Sequence, residues 1–150
     1  VVDLLRFRAW NSETKEIEVF QTYEEISELF LALSADDGFY SIMQSTGLKD
    51  KNGKEIFEGD ILKFNDEWAE YCYEGYVDGS VEGINYVEVV RGEACFEFGK
   101  TKYPESSLFI LMEDEHLNFK DFIKSEDFEF EILGNIYENP ELLEVKSEIF

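Results

Sequence analysis

Apolar and polar positions alternate from the start of the chain. Leu5-Arg6-Phe7-Arg8-Ala9-Trp10 has the period-two pattern of a half-buried strand, Asn11-Ser12-Glu13-Thr14 predicts a turn, and Ile17-Glu18-Val19-Phe20 the returning strand. Thr22 and Glu25 are spaced as a capping box, with hydroxyl and carboxylate placed to satisfy free amides at a helix start. Ile26, Leu29, Phe30 and Leu33 then fall on one helical face, and Gly38 lies just past the expected end, after Asp36-Asp37. Tyr40–Gln44 reads as a strand. Asn52-Gly53, between Lys51 and Lys54, predicts a two-residue turn, because both positions tolerate positive φ. Gly59-Asp60 predicts a sharp turn into Ile61–Phe64, with Ile61 and Lys63 on one face and Leu62 and Phe64 on the other.

From Tyr71 to Phe98 the pattern predicts a β-meander. Tyr71–Val77 is a strand, Asp78-Gly79 a turn, Asn85–Val90 a second strand, Arg91-Gly92 a break and Ala94–Phe98 its resumption. Leu108–Met112 is an apolar run that fits a strand or a buried helix equally. His116–Lys124 predicts a short helix, and Phe128–Leu133 alternates as a strand that stops at Gly134-Asn135. Asn139-Pro140-Glu141 predicts a final short helix, with Asn as its cap and Leu142, Leu143 and Val145 inside it.

Composition narrows the class. The chain has 150 residues and is 44% hydrophobic, enough for a real core and too apolar for a disordered protein. No apolar run reaches bilayer length and Val1–Leu5 is too short for a signal peptide, so no membrane association and a cytoplasmic setting are expected. Cys72 and Cys95 lack histidine or cysteine partners at zinc spacing and read as small buried hydrophobes on strands, with a disulfide left open.

Charge changes the picture more. Thirty-five acidic residues against thirteen basic ones give a net charge of -22, and residues 64–90 hold seven acids with no Lys or Arg. Such a field repels a phosphate backbone, whose affinity for proteins comes from Lys and Arg displacing counterions. It favours solubility, a basic protein partner, or imitation of a polyanion.

Three blocks together resemble the YopX family, small proteins encoded by bacteriophages and prophages. They are Phe7-Arg8-Ala9-Trp10, Gln44 through Lys63, and Ile132 through Leu142. The resemblance implies an N-terminal α+β portion over residues 1–56 and a small SH3-like β-barrel with a C-terminal helix over 57–150. The expected class is α+β, mainly β. The family implies no activity and no catalytic residues, only a suggestion of nucleic-acid binding that the acidity of this chain opposes. The bacterial host's cytoplasm is the expected location.

Candidate chemistry is thin. His116 stands alone in the acidic stretch Glu113–His116 and reads as a solvated loop residue. Asp50-Lys51-Asn52-Gly53 faintly suggests a calcium loop but lacks the later ligands, and no glycine-rich phosphate loop exists. Neither an enzyme, a cofactor nor a metal is therefore expected. Lys49, Lys51 and Lys54 form a basic cluster suited to phosphate or an acidic patch, although they also keep an exposed turn soluble. The aromatic group Trp68, Tyr71, Tyr73 and Tyr76 is a second candidate surface, for peptide or stacked bases. The leading expectation is a non-enzymatic protein-interaction module. An acidic DNA decoy and a nucleic-acid module using the Lys49–Lys54 loop are the alternatives, and an uncovered strand edge allows a homo-oligomer.

Overall fold

The first hairpin forms where alternation places it. β1 (Phe7–Asn11) pairs antiparallel with β2 (Glu16–Phe20), and the buried Asn11 side chain closes the turn by accepting from the amides of Glu13 at 3.0 Å and Thr14 at 3.2 Å. The computed structural model describes residues 6–34, 38–71, 77–93, 95–103 and 106–144.

Helix α1 (Tyr23–Ser34) starts at the predicted cap: Thr22 Oγ1 accepts from the Glu25 amide at 3.1 Å. Glu25 reaches back to the amide of Gln21 at 3.3 Å, so the box closes one residue further out than the ideal pattern. Leu29 is buried against the sheet, and Phe30 meets Phe7 edge-on at 5.7 Å. Asp36-Asp37, expected at the helix end, lies outside the described residues. β3 (Tyr40–Lys49) pairs with β1 along its first half and with β4 (Glu55–Phe57) beyond it, giving a sheet of order β2-β1-β3-β4.

The second sheet is built on β5 (Asp60–Tyr71), β6 (Val77–Arg91), β7 (Phe96–Thr101) and β8 (Glu131–Asn135), in the order β7-β6-β5-β8 and antiparallel throughout. The α+β, mainly β class is what the chain adopts, and the barrel takes the form of a curled half-barrel whose open side is filled by helices. Leu62 and Phe64 of β5, Val87 and Val89 of β6 and Phe98 of β7 point into it. Helix α2 (Ser107–Glu115) adds Leu108, and α3 (Phe119–Lys124) adds Phe119, Phe122 and Ile123. Six phenylalanines (Phe64, Phe98, Phe119, Phe122, Phe128 and Phe130) meet ring to ring at 4.7–6.5 Å, the offset and edge-on spacing that aromatic quadrupoles prefer. None of the described helices is long and apolar enough to cross a membrane.

Several local expectations give way to tertiary pairing. Asp78-Gly79 is no turn. It lies within β6, where Glu70 opposes Gly79 and the ladder runs on to Tyr71 opposite Val77. Tyr71 therefore ends one strand and Val77 begins the next, and the rest of the strand expected over Tyr71–Val77 lies outside the described residues. The long cross-strand register outweighs the turn preference of one Asp-Gly pair. The apolar run after Ser107 is helical, capped by Ser106 accepting from the Leu108 amide at 3.1 Å. The helix expected from His116 begins only at Phe119, because His116 takes the left-handed conformation (φ 54) that ends α2. Likewise, Glu129 at φ 48 interrupts the expected strand from Phe128, so β8 starts at Glu131 and runs through Gly134-Asn135. Asn139 does not cap a helix. Its side chain accepts from the Asn135 amide at 3.3 Å, and Pro140–Leu143 is one 3-10 turn; Val145 lies outside the described residues. Cys95 is exposed and free in the loop before β7, not buried on a strand, because the chain reverses there; Cys72 lies outside the described residues.

The two sheets meet at a buried ion pair. Arg8 of β1 contacts Asp60 Oδ1 at 2.5 Å, and Asp60 Oδ2 accepts from the Phe57 amide at 2.7 Å. The guanidinium also sits 4.7 Å from the centre of the Phe57 ring. Gly59, at φ +88, turns the chain into Asp60, and a Cβ there would lie 2.9 Å from Met43 Sδ. Burial holds the Asp60 carboxyl above its ordinary range, even against the attraction of Arg8. Arg8 Nε is buried with no partner, so the pair is held at a desolvation cost. In a urea double-mutant cycle, Arg8→Met and Asp60→Asn are each expected to cost about 3–5 kcal/mol, and the double variant clearly less than their sum. Simple additivity would show that the two groups do not depend on each other.

Candidate functional site

The basic turn is a docked structure and not a free loop. Asp50, almost fully buried, accepts through Oδ1 from the amides of Asn52 and Lys54, both at 2.9 Å, and through Oδ2 from the amide of Ile132 on β8 at 2.9 Å. The Lys51 amide adds a bond to the Phe130 carbonyl at 2.9 Å. The turn lies where Asn52-Gly53 places one but is not the two-residue form expected: only Gly53 has a positive φ (+82), and its amide donates to the Asp50 carbonyl at 3.0 Å, so Lys51 and Asn52 are the central residues. A carboxylate is needed here because it only accepts, and all three of its side-chain partners are backbone donors. The faint likeness to a calcium loop thus has a structural cause, and among the described residues no group of three or more His, Cys, Asp or Glu is arranged to hold a metal ion.

Glu131, on β8, ties down the outside of the turn. Asn52 Nδ2 donates to it at 3.2 Å, and Lys63 and Lys51 place Nζ at 3.4 and 3.7 Å. Burial pushes its carboxyl up, but the hydrogen bonds from Asn52 and Lys63 and the charges of Lys51 and Lys63 outweigh this and hold it below its ordinary value.

Lys49, at the end of β3, and Lys51 line an open cleft of about 460 Å³ together with Lys124, from the last turn of α3. Glu126 and Glu129 line the same cleft, and Lys54 stands exposed beside it. Lys124 is the residue that sequence reading missed, since α3 lies far along the chain and nothing local points to the turn. Trp68 and Tyr71 lie on β5 with side chains outside the described set, and Tyr73 and Tyr76 fall outside the described residues altogether. His116 is exposed at the end of α2.

The three sequence blocks that stand out along the chain converge in space. Arg8 of the first meets Asp60 of the second. The Ile136 amide of the third donates to the Gly59 carbonyl of the second at 2.9 Å, and Trp10 stacks on Tyr137 at 5.8 Å. A model described as YopX protein matches residues 6–144. The chain belongs to the YopX family. A solved structure, the crystal structure of protein EF1440 from Enterococcus faecalis, is similar to it with a TM-score of 0.52 and 26% sequence identity, covering 95% of this chain and 100% of that one. No curated protein matches the chain. In this YopX protein the family blocks thus form the junction between two sheets, and Gly59, Asp60, Trp10 and Tyr137 have structural work there.

Two measurements test the docked turn. Asp50→Ala leaves three amides without their acceptor and is expected to cost at least about 2 kcal/mol in urea unfolding. Because the Glu131 pKa is lowered on folding, its contribution is present above its ordinary value of 4.5 and lost as pH falls through the lower folded value. Hydrogen-exchange protection of residues 51–54 should therefore decline over that acid range, and Glu131→Gln should remove the decline. An unchanged pH profile in that variant would count against the assignment.

Proposed function

We propose that the chain is a non-enzymatic accessory protein of phage or prophage origin that acts as a protein-interaction module in the bacterial cytoplasm. The observation that carries this reading is where apolar surface is left over. The family blocks are consumed in the sheet junction, whereas large apolar side chains stay exposed on two helices: Tyr23 (70%) and Phe30 (48%) on α1, and Phe109 (39%) and Ile110 (61%) on α2. Large apolar side chains left exposed on a helix are candidates for contact with a partner. Among the described residues His116 is exposed and the Asp50 and Asp60 carboxylates are occupied by structural partners, which supports a non-enzymatic reading. β2 and β7 end their sheets, which supplies the edge a homo-oligomer would use.

A photo-crosslinking residue at Tyr23 or Phe109, expressed in a bacterial host, should capture discrete partners that the same residue at exposed Glu13 does not. Identical capture from all three positions would remove the reading.

A second reading has one specific support. Lys49 and Lys51 share their cleft with Lys124, so phosphate could meet three cations despite the net charge. If this nucleic-acid reading holds, DNA or RNA shift assays at low salt should show binding that Lys49→Ala, Lys51→Ala and Lys124→Ala together weaken at least about tenfold. No shift at low salt would dismiss it.

A further inference from the structure

Helix α2 is apolar where it should be amphipathic. Leu108-Phe109-Ile110-Leu111-Met112 is an unbroken apolar run, the composition of a helix buried on all sides, yet only Leu108 is fully buried. Beside it runs an open cleft of about 610 Å³, between α2 and the β5–β6 ladder, within the size range of ligand pockets. Its apolar lining is Leu111 of α2, Ile84 of β6 (40% exposed) and Phe128. Its polar lining carries one sign of charge: Asp66, Glu67, Glu82 and Asp127, with no Lys or Arg.

These carboxylates differ in role. Asp66 is structural: its oxygens accept from the Ser107 amide at 3.1 Å, the Ser107 hydroxyl at 2.9 Å, the Glu67 amide at 2.8 Å and Asn85 Nδ2 at 2.8 Å. That network pins the start of α2 to β5 and fixes a negative charge at the inner wall. Glu82 and Asp127 are exposed and approach the cleft from different segments, so the pairing of β5 with β6 and the path of the chain before β8 together create the acidic rim.

Resting on the interaction-module reading, we propose that this cleft docks a basic, part-apolar segment of a partner protein. Arginine or lysine is the side chain that fits both linings at once. Its alkyl stem covers apolar surface while its charged head stays at a wet, acidic rim. Neighbouring apolar residues of the same segment cover Phe109 and Ile110. A wholly apolar segment would leave the rim carboxylates desolvated without a counter-charge, and an acidic one would be repelled. Lys49, Lys51 and Lys124 line a separate cleft, with no lining residue in common.

The test is fluorescence anisotropy at about 0.15 M salt, where long-range attraction is largely screened. The probes are two labelled short peptides of equal charge, one alternating arginine with leucine and one alternating arginine with serine. The arginine–leucine peptide should bind the intact chain more tightly. Glu82→Gln with Asp127→Asn should weaken that binding at least about tenfold, whereas Glu13→Gln with Glu93→Gln, the same change in charge at exposed sites elsewhere, should change it less than about twofold. Leu111→Ala should erase the preference for leucine over serine. Equal losses from both charge pairs would reveal only the overall field and overturn the proposal. Equal affinity for the two peptides would overturn it too, as would a second copy of the chain occupying the cleft, seen as self-association abolished by the Glu82 and Asp127 changes. Failure here with crosslinks from Tyr23 intact removes the cleft and leaves the interaction reading standing; loss of both removes both.

Discussion

The Arg8–Asp60 pair is the constraint on which the architecture turns. One sheet ends and the other begins within a few residues, at Phe57–Asp60, and the chain turns there around a buried carboxylate. That carboxylate earns its place by accepting from the Phe57 amide and by holding the guanidinium of β1. Coulomb attraction in such a site is offset by desolvation of both ions, so the pair specifies geometry more than it adds stability. Removing one partner leaves a buried charge; this asymmetry makes the pair a lock on the register of the two sheets. Gly59 belongs to the same device, since its left-handed backbone and missing Cβ let Met43 close over the turn.

A second carboxylate repeats the logic at lower cost. Asp50 accepts from backbone amides alone, so a turn and a distant strand are joined without a buried cation. Between them, Asp50 and Asp60 explain why the most conspicuous block of the chain is rich in Gly, Asn, Asp and Lys. Such residues could form a binding loop, yet here Asp50, Asn52, Asp60 and Lys63 each satisfy a neighbour. What the family blocks hold in common is a folding problem, and α1 and α2 carry exposed apolar side chains outside those blocks.

Strand and helix periodicity was legible wherever packing follows local pattern: β1 and β2, the capped α1, the place of the turn before Lys54 though not its type, and the inward face of Leu62 and Phe64. It failed where long-range contacts decide. Asp78-Gly79 is a turn by propensity and a ladder segment by register. Phe128 and Phe130 alternate like a strand, but Glu129 adopts a left-handed conformation and both rings still join the aromatic core. Cys95 was expected inside and lies outside, because the hairpin before β7 reverses at that point. Of the candidate site, the three lysines were visible as neighbours along the chain, while Lys124 was not.

The sequence by itself determined the mainly β class, the acidic field and the family, because composition, period and motif spacing are local properties that survive in one dimension. Only the tertiary structure decided what those motifs are for. Pairing across the sheets turned a conspicuous signature into a junction, gathered Lys124 to a loop far away along the chain, and set Glu82 and Asp127 around an apolar cleft. Each outcome depends on contacts between residues distant in sequence, whose free energy exists only once the intervening chain has paired and closed.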